Sequence, residues 1–355
     1  MGYTKEQEEI IYSREPRIVV NACAASGKTE ILTERVRHIL RTPGVNPYKI
    51  VVFTFTNNAA DVLRERLGED YMNGMFVGTI HSYVNSLLTG NGIDTSKIIV
   101  EEKFDDLFEL ITENLHCIRE VDYLFLDEAQ DSTDQQFQVI FDYIKPHNWF
   151  LCGDWRQCIY SWRGSRPDML IDLAQRADVK TYRLSKNFRN ARSILSFAKR
   201  LINLAGIDYM DTSVPAREEV GYVYDIPYDT YSIIKGIRKS TDEYRDWFIL
   251  ARTNSQVTDI CEALEKAKIP YCTFKRNELT MDQLREKMEE NSVKVLTIHG
   301  AKGLERKNVI VIGARLYNNE ERCVSYVAAT RARDMLIWTT MQKKTQREKN
   351  MYDWG

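Results

Sequence analysis

Short apolar runs alternate with longer amphipathic segments along most of the chain. The runs at 17–22, 49–55 and 123–126 are rich in aliphatic and aromatic residues, as expected for strands that helices cover on both faces. The segment 31–40 places apolar residues three and four positions apart, which is typical of a helix with one buried face. This alternation predicts an α/β fold with parallel central sheets.

The second half repeats the same plan. Further strands are predicted at 221–226, 246–251, 293–298 and 307–313, and further helices at 229–240, 254–267 and 320–333. We also expect a helix from about residue 131 to Lys145, and one strand plus one helix within the acidic residues 90–120. The boundary falls near 180–187 without a linker-like stretch, which gives domains 1–183 and 184–355.

The composition is that of a globular protein with enough residues for two domains. The chain has 355 residues, of which 43% are apolar and 28% charged. No window approaches about eighteen uninterrupted apolar residues and the N-terminus has no secretion signal, so we expect a cytoplasmic protein that does not enter a membrane. The seven cysteines form no Cys-x-x-Cys pair, which disfavours disulfides and structural zinc. The net charge of −2 does not indicate a nucleic-acid-binding protein, although stacking and a local basic groove suffice for single strands.

A loop of small residues follows the first strand. Residues 23–29 read CAASGKT and lead into the helix at 31–40, which is the context in which Gly-Lys-Thr indicates a phosphate-binding loop. Backbone N–H groups would surround the phosphates, Lys28 would reach the β and γ oxygens, and the Thr29 hydroxyl would help to hold Mg²⁺. The residues assigned to this loop and helix start are Ala25, Ser26, Gly27, Lys28, Thr29 and Glu30.

A pair of carboxylates follows another apolar strand about a hundred residues later. Asp127 and Glu128 come after 123–126, at the end of a strand where an open α/β sheet binds its ligand. Adjacent carboxylates there are costly unless they meet a cation or a proton to be moved. Asp127 would complete the magnesium site, and Glu128 would orient or deprotonate the attacking water. The sequence therefore predicts binding and hydrolysis of Mg-ATP.

Gln7 precedes this loop, in a segment (4–12) that is typical of a capped helix. Two roles are open for its side chain at this point. It can hydrogen-bond the edge of adenine, or it can complete a capping box with Thr4 at the start of the helix.

Eight motifs occur in order along the chain. They are CAASGKT (23–29), FTFTNNAA (53–60), GTIHS (78–82), LDEAQD (126–131), GDWRQCIYSWRG (153–164), LSKNFRN (184–190), LTIHGAKGLE (296–305) and YVAATRAR (326–333). This series resembles the UvrD/Rep family of superfamily 1 DNA helicases across essentially the whole chain. The resemblance implies two RecA-like domains that close on ATP, and a DNA-stimulated ATPase that moves along a strand, 3′ to 5′ in relatives.

The resemblance implies further residues around the nucleotide. Gln157 matches a residue that senses the γ-phosphate. Arg189 and Arg331 match arginine fingers, whose planar charge suits the equatorial oxygens of a phosphoryl group in transfer. Phe188 matches a tyrosine that stacks on adenine, and Glu305 matches a residue that holds the ribose. A surface ion pair is the alternative for either arginine.

The contacts to a single strand are implied in the same way. The matching residues are Phe55, Asn57, Thr79, His81, Tyr160, Trp162, Arg163, Arg252 and His299. Aromatic faces stack on any base at about 1–3 kcal/mol each, so they bind a strand without sequence choice. Core packing is the alternative for a lone aromatic residue, but Trp162 lies in a run of three aromatic residues and two arginines.

The chain departs from the family pattern at several points. Family loops usually carry glycine at the positions of Cys23 and Ala25, and a left-handed conformation at Ala25 would cost about 1 kcal/mol. Glu30 replaces a frequent arginine. The subdomains that the family inserts into each half are reduced, since residues 82–120 leave room for only a helix or two and a similarly short stretch precedes the strand at 293–298.

We therefore expect a compact motor that acts on single-stranded DNA or a 3′-tailed duplex with Mg-ATP. One alternative is a motor subunit for which a partner protein supplies unwinding or cleavage, because the inserted parts are small. A second alternative is a nucleic-acid-binding module whose ATPase has decayed, as Ala25 and Glu30 suggest. The complete set of carboxylates and arginines argues against decay.

Overall fold

Two compact units make up the chain, Met1–Leu184 and Ser185–Gly355. The structure, a computed structural model, describes residues 2–275 and 278–340, with the backbone alone at residues 71–73. Each unit contains a six-stranded sheet with its own set of helices. The prediction of an α/β fold with two RecA-like, parallel-sheet domains is confirmed.

The sheet of the first unit is parallel throughout. Its strands are Arg17–Ala22 (β1), Ile50–Phe53 (β2), Phe76–Gly78 (β3), Tyr123–Leu126 (β4), Asn148–Gly153 (β5) and Lys180–Leu184 (β6). They lie in the order β3-β2-β4-β5-β1-β6, and each neighbouring pair runs in the same direction. The loops that follow these strands therefore converge on one edge of the sheet, where ligands bind in such folds.

Helices cover this sheet. They are Lys5–Ile11 (α1), Lys28–Leu40 (α2), Asn57–Leu67 (α3), Ile80–Gly90 (α4), Ser96–Val100 (α5), Asp106–Glu113 (α6), Asp134–Gln138 (α7) and Pro167–Gln175 (α8). The apolar faces of α1 and α2 pack on the sheet in a core that includes Ile10, Ile31, Phe125 and Phe150. This packing fixes the start of α2, and with it the phosphate-loop motif, against the end of β1.

The second unit follows a similar plan. Its strands are Lys186–Asn187 (β7), Val214–Pro215 (β8), Tyr222–Pro227 (β9), Trp247–Ala251 (β10), Tyr271–Cys272 (β11), Val293–Thr297 (β12), Arg306–Ile312 (β13) and Ala332–Thr340 (β14). Its helices are Arg192–Asn203 (α9), Thr230–Lys239 (α10), Asn254–Lys266 (α11), Met281–Glu289 (α12) and Asn319–Ala329 (α13). The large parallel sheet has the order β11-β12-β10-β13-β14-β9, and β7 pairs with β8 apart from it. No helix described in either unit combines the length and the apolar character needed to cross a membrane.

Threonines fix where several helices begin. Capping boxes are formed by Thr4, Thr79, Thr133, Thr253 and Thr280. In each box the threonine hydroxyl accepts from the backbone N–H three residues on, and the Gln or Ser side chain there bonds back to the backbone of the threonine. Because Thr79 and Thr253 stand just after β3 and β10, these caps set the point at which the chain leaves the sheet edge.

Two sequence-based assignments are wrong. Residues 90–120, all of which the structure describes, contain α5 and α6 but no strand, because their only aliphatic run is short and leaves Val100 82% exposed. The helix expected to reach about Lys145 is present to Ile144, first as α7 and then as a π-helix over Val139–Ile144. The helix predicted at 320–333 ends at Ala329, because the following residues pair in parallel with β13 as strand β14.

Candidate functional site

The phosphate-loop motif connects β1 to α2, which begins at Lys28. Ala25 has a φ of 55° and Gly27 a φ of 84°, so both adopt the left-handed conformation. For Ala25 this costs about 1 kcal/mol relative to glycine, as expected at a position where the family carries glycine. The loop therefore keeps its turn although a Cβ atom is present.

Four predicted site residues come together beside this loop. Nζ of Lys28 lies 3.5 Å from a carboxylate oxygen of Glu128. The hydroxyl of Thr29 donates to Asp127 over 2.8 Å. They meet because β1 and β4 end at the same edge of a parallel sheet. A hydroxyl and a carboxylate at this separation are the hard oxygen donors that Mg²⁺ prefers, so these residues fit the cation.

Burial and neighbouring carboxylates have opposite effects on the pKa of Lys28 and the same effect on the pKa of Asp127. Burial lowers the pKa of Lys28, but the carboxylates of Glu128, Asp154 and Asp127 outweigh it and raise that pKa above its ordinary value. Burial, followed by the charge of Glu128, raises the pKa of Asp127 to about 6. Two neighbouring carboxylates thus share the buried charge of one lysine, an arrangement that favours the binding of a further cation.

Gln130, which the sequence analysis did not single out, connects the ends of β4 and β5. Its side-chain amide donates to Glu128, and its carbonyl oxygen accepts the backbone N–H of Asp154 at 3.0 Å. A Cβ atom at Gly153 would lie only 2.6 Å from that oxygen, so a larger residue there would displace the Gln130 side chain. Glu128 itself has a φ of 52°, a strained conformation for a non-glycine residue. Gln130 therefore helps to hold the predicted catalytic carboxylate in place.

Gln157, assigned to the γ-phosphate, is held by a buried ion pair. Nε of Arg156 donates to Asp154 over 2.6 Å, and both side chains are almost fully buried. The amide of Gln157 donates to the other oxygen of Asp154 over 2.8 Å. Arg156 also donates to the carbonyl of Ala22 at the end of β1, which ties this segment to the phosphate loop. The Gly-Asp dipeptide at a strand end was the sequence signal for this junction.

Two further residues assigned to the nucleotide have partners within the protein. Gln7 completes the capping box, since its carbonyl oxygen accepts the N–H of Thr4 at 2.9 Å. Its amide nitrogen also donates to the carbonyl of Ser26 over 3.3 Å, so Gln7 contacts the phosphate loop directly. Glu30 is exposed and pairs with Arg66 over 3.2 Å. The capping role of Gln7 is therefore present in the structure, and a role toward adenine stays a prediction.

Aromatic residues assigned to DNA form a cluster at the same edge of the sheet. Phe55 and Tyr160 stack, with ring centroids 5.2 Å apart and planes 19° apart. Tyr160 meets Trp162 edge to face at 6.4 Å, and the Arg163 guanidinium lies 5.4 Å from the Trp162 ring. Trp162 is 69% exposed, which excludes core packing as its role. These four residues are called the aromatic cluster below; its Trp162 ring is largely exposed to solvent, while Phe55 and Tyr160 are partly exposed.

The other predicted DNA contacts of the first unit differ in exposure and in their hydrogen bonds. His81 lies 3.2 Å from Asp105 and 4.5 Å from the Phe108 ring, and burial lowers its pKa. Thr79 caps α4, so its hydroxyl is already bonded to the backbone of that helix. Asn57 is exposed at the first turn of α3. His81 is therefore partly committed to packing against α6, which the sequence did not reveal.

Both predicted arginine fingers lie in the second unit and share one neighbour. Arg189 forms an ion pair with Glu305, and its Nη1 donates to the carbonyl of Thr330 over 3.2 Å. Arg331 is only 2% exposed, and its Nη2 donates to the Thr330 hydroxyl over 3.2 Å. The structure thus places Glu305, assigned to the ribose, beside Arg189. Arg331 is not a surface ion pair, and Arg189 is paired but largely covered.

The remaining predicted residues of the second unit differ in exposure and in their contacts. Phe188 is 45% exposed, as a ring that stacks on a base requires. His299 is partly exposed in the loop after β12. Arg252 donates to both carboxylate oxygens of the buried Glu321, at 2.9 and 2.8 Å. This two-bonded pair occupies the Arg252 guanidinium, so any contact of that side chain with DNA would compete with Glu321.

Family models match both parts of the chain. The UvrD/REP helicase N-terminal domain matches residues 3–116 and 104–178, and the UvrD-like helicase C-terminal domain matches residues 273–343. Together these matches take in well over half of the chain.

Individual relatives are similar at lower identity. The ATP-dependent DNA helicase PcrA of Leuconostoc citreum is 25% identical over 374 residues, covering 76% of this chain and 49% of that protein. The ATP-dependent DNA helicase Rep of Escherichia coli strain K12 is 24% identical, covering 75% of this chain and 54% of that protein. The chain thus spans about half the length of these helicases. The Gabija protein GajB of Bacillus cereus strain VD045 is 23% identical over 464 residues, covering 92% of this chain and 93% of that protein.

Proposed function

The chain belongs to the UvrD/Rep-like superfamily 1 helicases, and we propose that it is a motor that couples ATP hydrolysis to movement along single-stranded DNA. The observation that supports this best is the assembly of Lys28 and Glu128 with Thr29 and Asp127. The aromatic cluster lies at the same edge of the same sheet. This edge of the sheet therefore carries two kinds of groups. One kind is suited to binding phosphates, and the other is suited to stacking on bases.

In this proposal the first unit binds ATP with its phosphate loop. Lys28 exchanges its contact with Glu128 for the β and γ oxygens, charge for charge. Thr29 and Asp127 would hold Mg²⁺, which would neutralise charge on the phosphates. Glu128, no longer paired with Lys28, accepts the proton of the attacking water. The contacts of Glu128 with Lys28 and Gln130 keep its carboxylate in position before ATP arrives.

The arginines of the second unit serve the transferred phosphoryl group in this proposal. Arg189 and Arg331 supply planar, permanently charged donors to the charge that spreads over its oxygens. Asp154 holds Gln157, which precedes Tyr160 by three residues. A contact of Gln157 with the γ-phosphate would therefore affect the position of Tyr160 in the aromatic cluster. Nucleotide state and grip on the strand are coupled by this short segment.

The aromatic cluster binds the strand by stacking. The exposed ring of Trp162 and the Phe55–Tyr160 stack accept bases of any kind, while Arg163 pairs with the backbone phosphates. We propose movement from 3′ to 5′, in line with the resemblance to the family. A tail that ends in a free 3′ strand is then the expected loading site.

The small insertions favour a second form of the proposal, in which a partner protein supplies unwinding or cleavage. Residues 82–120 contain most of α4, the helices α5 and α6, and a short 3₁₀ turn at Leu115–Cys117. The alignment with the Gabija protein GajB extends over 464 positions although this chain has 355 residues, so that relative carries at least about a hundred residues with no counterpart here. A chain without these parts has fewer surfaces with which to separate a duplex.

ATP hydrolysis with and without nucleic acid tests the motor itself. We expect turnover that rises strongly with single-stranded DNA and saturates with its concentration, and RNA strands of equal length measure the preference for DNA. Turnover that is absent under both conditions would contradict the motor and leave the nucleic-acid-binding module.

Unwinding by the isolated protein separates the two forms of the proposal. A 3′-tailed duplex should be separated if the chain suffices by itself, and a 5′-tailed duplex of the same sequence is the matched control for direction. DNA-stimulated hydrolysis without strand separation on either substrate would favour the motor subunit.

A further inference from the structure

We infer that Thr330 is a positioning residue for both arginines, an inference that rests on the proposed function. Two different atoms of this one residue contact the two guanidinium groups. Its backbone carbonyl accepts Nη1 of Arg189 at 3.2 Å, and its hydroxyl accepts Nη2 of Arg331 at 3.2 Å. The distance and angle between the two guanidinium groups are therefore set through Thr330.

Thr330 is well suited to this task because it is itself fixed. It is fully buried and forms the C-cap of α13, where its backbone N–H donates to the carbonyl of Tyr326 over 3.0 Å. Its hydroxyl proton is directed at the carbonyls of Tyr326, at 2.9 Å, and Val327, at 3.1 Å. With the proton committed to the helix end, the oxygen lone pairs face the donor of Arg331.

The hydroxyl of Thr330 is one of the contacts that define the plane of the Arg331 guanidinium. Nε donates to the carbonyl of Val327 over 3.0 Å, and Nη1 donates to the carbonyl of Leu304 over 3.3 Å. With Nη2 on Thr330, every guanidinium nitrogen has a described acceptor. The carbonyl of Arg331 also accepts the N–H of Arg306 on β13 at 3.1 Å, so backbone and side chain are both held.

The loop of Arg189 is fastened to the same point. The side-chain oxygen of Asn187 accepts the N–H groups of Arg189, at 3.0 Å, and Asn190, at 2.8 Å. The amide of Asn190 in turn donates to the carbonyl of Thr330 over 3.1 Å and to that of Ala332. Asn187 and Asn190 are fully buried. A displacement of Thr330 would thus move the loop of Arg189 together with Arg331.

A pair of substitutions isolates the hydroxyl. Thr330→Val keeps the shape of the side chain and the carbonyl that binds Arg189, but it removes the hydroxyl that accepts from Nη2 of Arg331. We expect kcat for DNA-stimulated ATP hydrolysis to fall roughly tenfold, the range for loss of one hydrogen bond to a charged group. KM for ATP and the Kd for single-stranded DNA should stay at the parental values. Thr330→Ser, which keeps the hydroxyl, should restore most of the turnover.

A double variant tests whether Thr330 acts through Arg331. Arg331→Ala should lower kcat strongly, and adding Thr330→Val to it should lower kcat no further, because the contact has already been lost. A further tenfold loss in the double variant would overturn the inference, as would parental kcat in Thr330→Val or equal kcat in the valine and serine variants.

The design separates this inference from the proposed function. If the parent protein shows no ATP hydrolysis, the motor fails and with it the basis of the inference. If the parent is active and the valine variant is equally active, the inference alone fails. Thermal unfolding checks that each variant is folded. If Thr330→Val is not, Thr330→Ala removes the same hydroxyl without a second methyl group and is measured in its place.

Discussion

The phosphate loop of the first unit and the arginine pair of the second unit hold their positive charges differently. Lys28 faces a carboxylate, with Glu128 at 3.5 Å. Arg331 instead donates to the carbonyls of Val327 and Leu304 and to the hydroxyl of Thr330. In one unit a carboxylate lies beside the cation, whereas the contacts described for Arg331 in the other unit are with neutral acceptors.

Under the proposed function, this difference bears on when each charge would act. The carboxylate of Glu128 would neutralise Lys28 until a phosphate took its place, so that ATP binding would exchange one strong contact for another. Neutral acceptors compensate the charge of a guanidinium less, which would suit a group that acts while charge spreads over a phosphoryl group in transfer. Arg189, which contacts both Glu305 and the Thr330 carbonyl, combines the two arrangements.

Replacing Lys28 is the strongest test of the site in which the carboxylate of Glu128 lies beside this lysine. Lys28→Ala should reduce DNA-stimulated ATP hydrolysis at least about 1000-fold, because the cation for the β and γ oxygens is lost. Lys266→Ala, at a side chain that is 80% exposed on α11, is the matched control and should hydrolyse ATP at the parental rate. Undiminished turnover in Lys28→Ala would remove the phosphate-loop assignment.

Neutralising the carboxylate asks whether it does more than balance charge. Glu128→Gln should lower kcat about 100-fold through loss of the base. ATP affinity should be retained or increased, since one negative charge beside Asp127 and the phosphates has gone. Equilibrium binding of a fluorescent ATP analogue and single-turnover hydrolysis measure the two effects separately. A turnover rate close to that of the parent would exclude Glu128 as the base.

We expect the aromatic cluster to contribute to the binding of single-stranded DNA and not to the binding of ATP. Trp162→Ala should weaken binding of single-stranded DNA about tenfold, which corresponds to one stacked base, with unchanged ATP affinity. Tyr48→Ala is the matched control, because Tyr48 is 78% exposed just before β2, at the opposite edge of the same sheet. Fluorescence anisotropy with a labelled strand gives the DNA affinity of each variant. Equal DNA affinities of the two variants would argue against a role of the aromatic cluster in DNA binding.

The smallest effect concerns the backbone of the phosphate loop. Ala25→Gly relieves a left-handed alanine and should change the free energy of unfolding by at most about 1 kcal/mol, in the stabilising direction. Ala24→Gly, at a buried neighbour outside the positive-φ residues, should destabilise by about 0.5–1 kcal/mol. Chemical denaturation compares them, and equal destabilisation would show that Ala25 is not strained.

The sequence allowed much of the site to be predicted because parallel topology is legible from strand–helix alternation. Once the strands are parallel, the residues that follow them must share an edge, so the meeting of Lys28 with Glu128 could be expected. The capping of α1 by Thr4 and Gln7 was also visible, because a capping box is a local pattern. These features depend on spacing along the chain alone.

Other features depend on tertiary register and were not visible. The contact of Gln130 with Asp154 requires β4 and β5 to be aligned, and the close approach of Gln130 to Gly153 follows only from that alignment. The role of Thr330 was hidden because the residues around it have helical spacing. Pairing between strands ends the helix at Ala329.

The position of β1 in its sheet has a consequence for the nascent chain. Its two neighbours are β5 and β6, which begin at Asn148 and Lys180, so the strand that leads into the phosphate loop is made early and paired late. During synthesis its backbone N–H and C=O groups await partners encoded more than a hundred residues downstream. Contacts so distant in sequence form slowly. A ribosome that stalled before Asn148 would therefore hold a chain in which the strand before the phosphate loop still lacked both of its neighbours, although β2, β3 and β4 had been made.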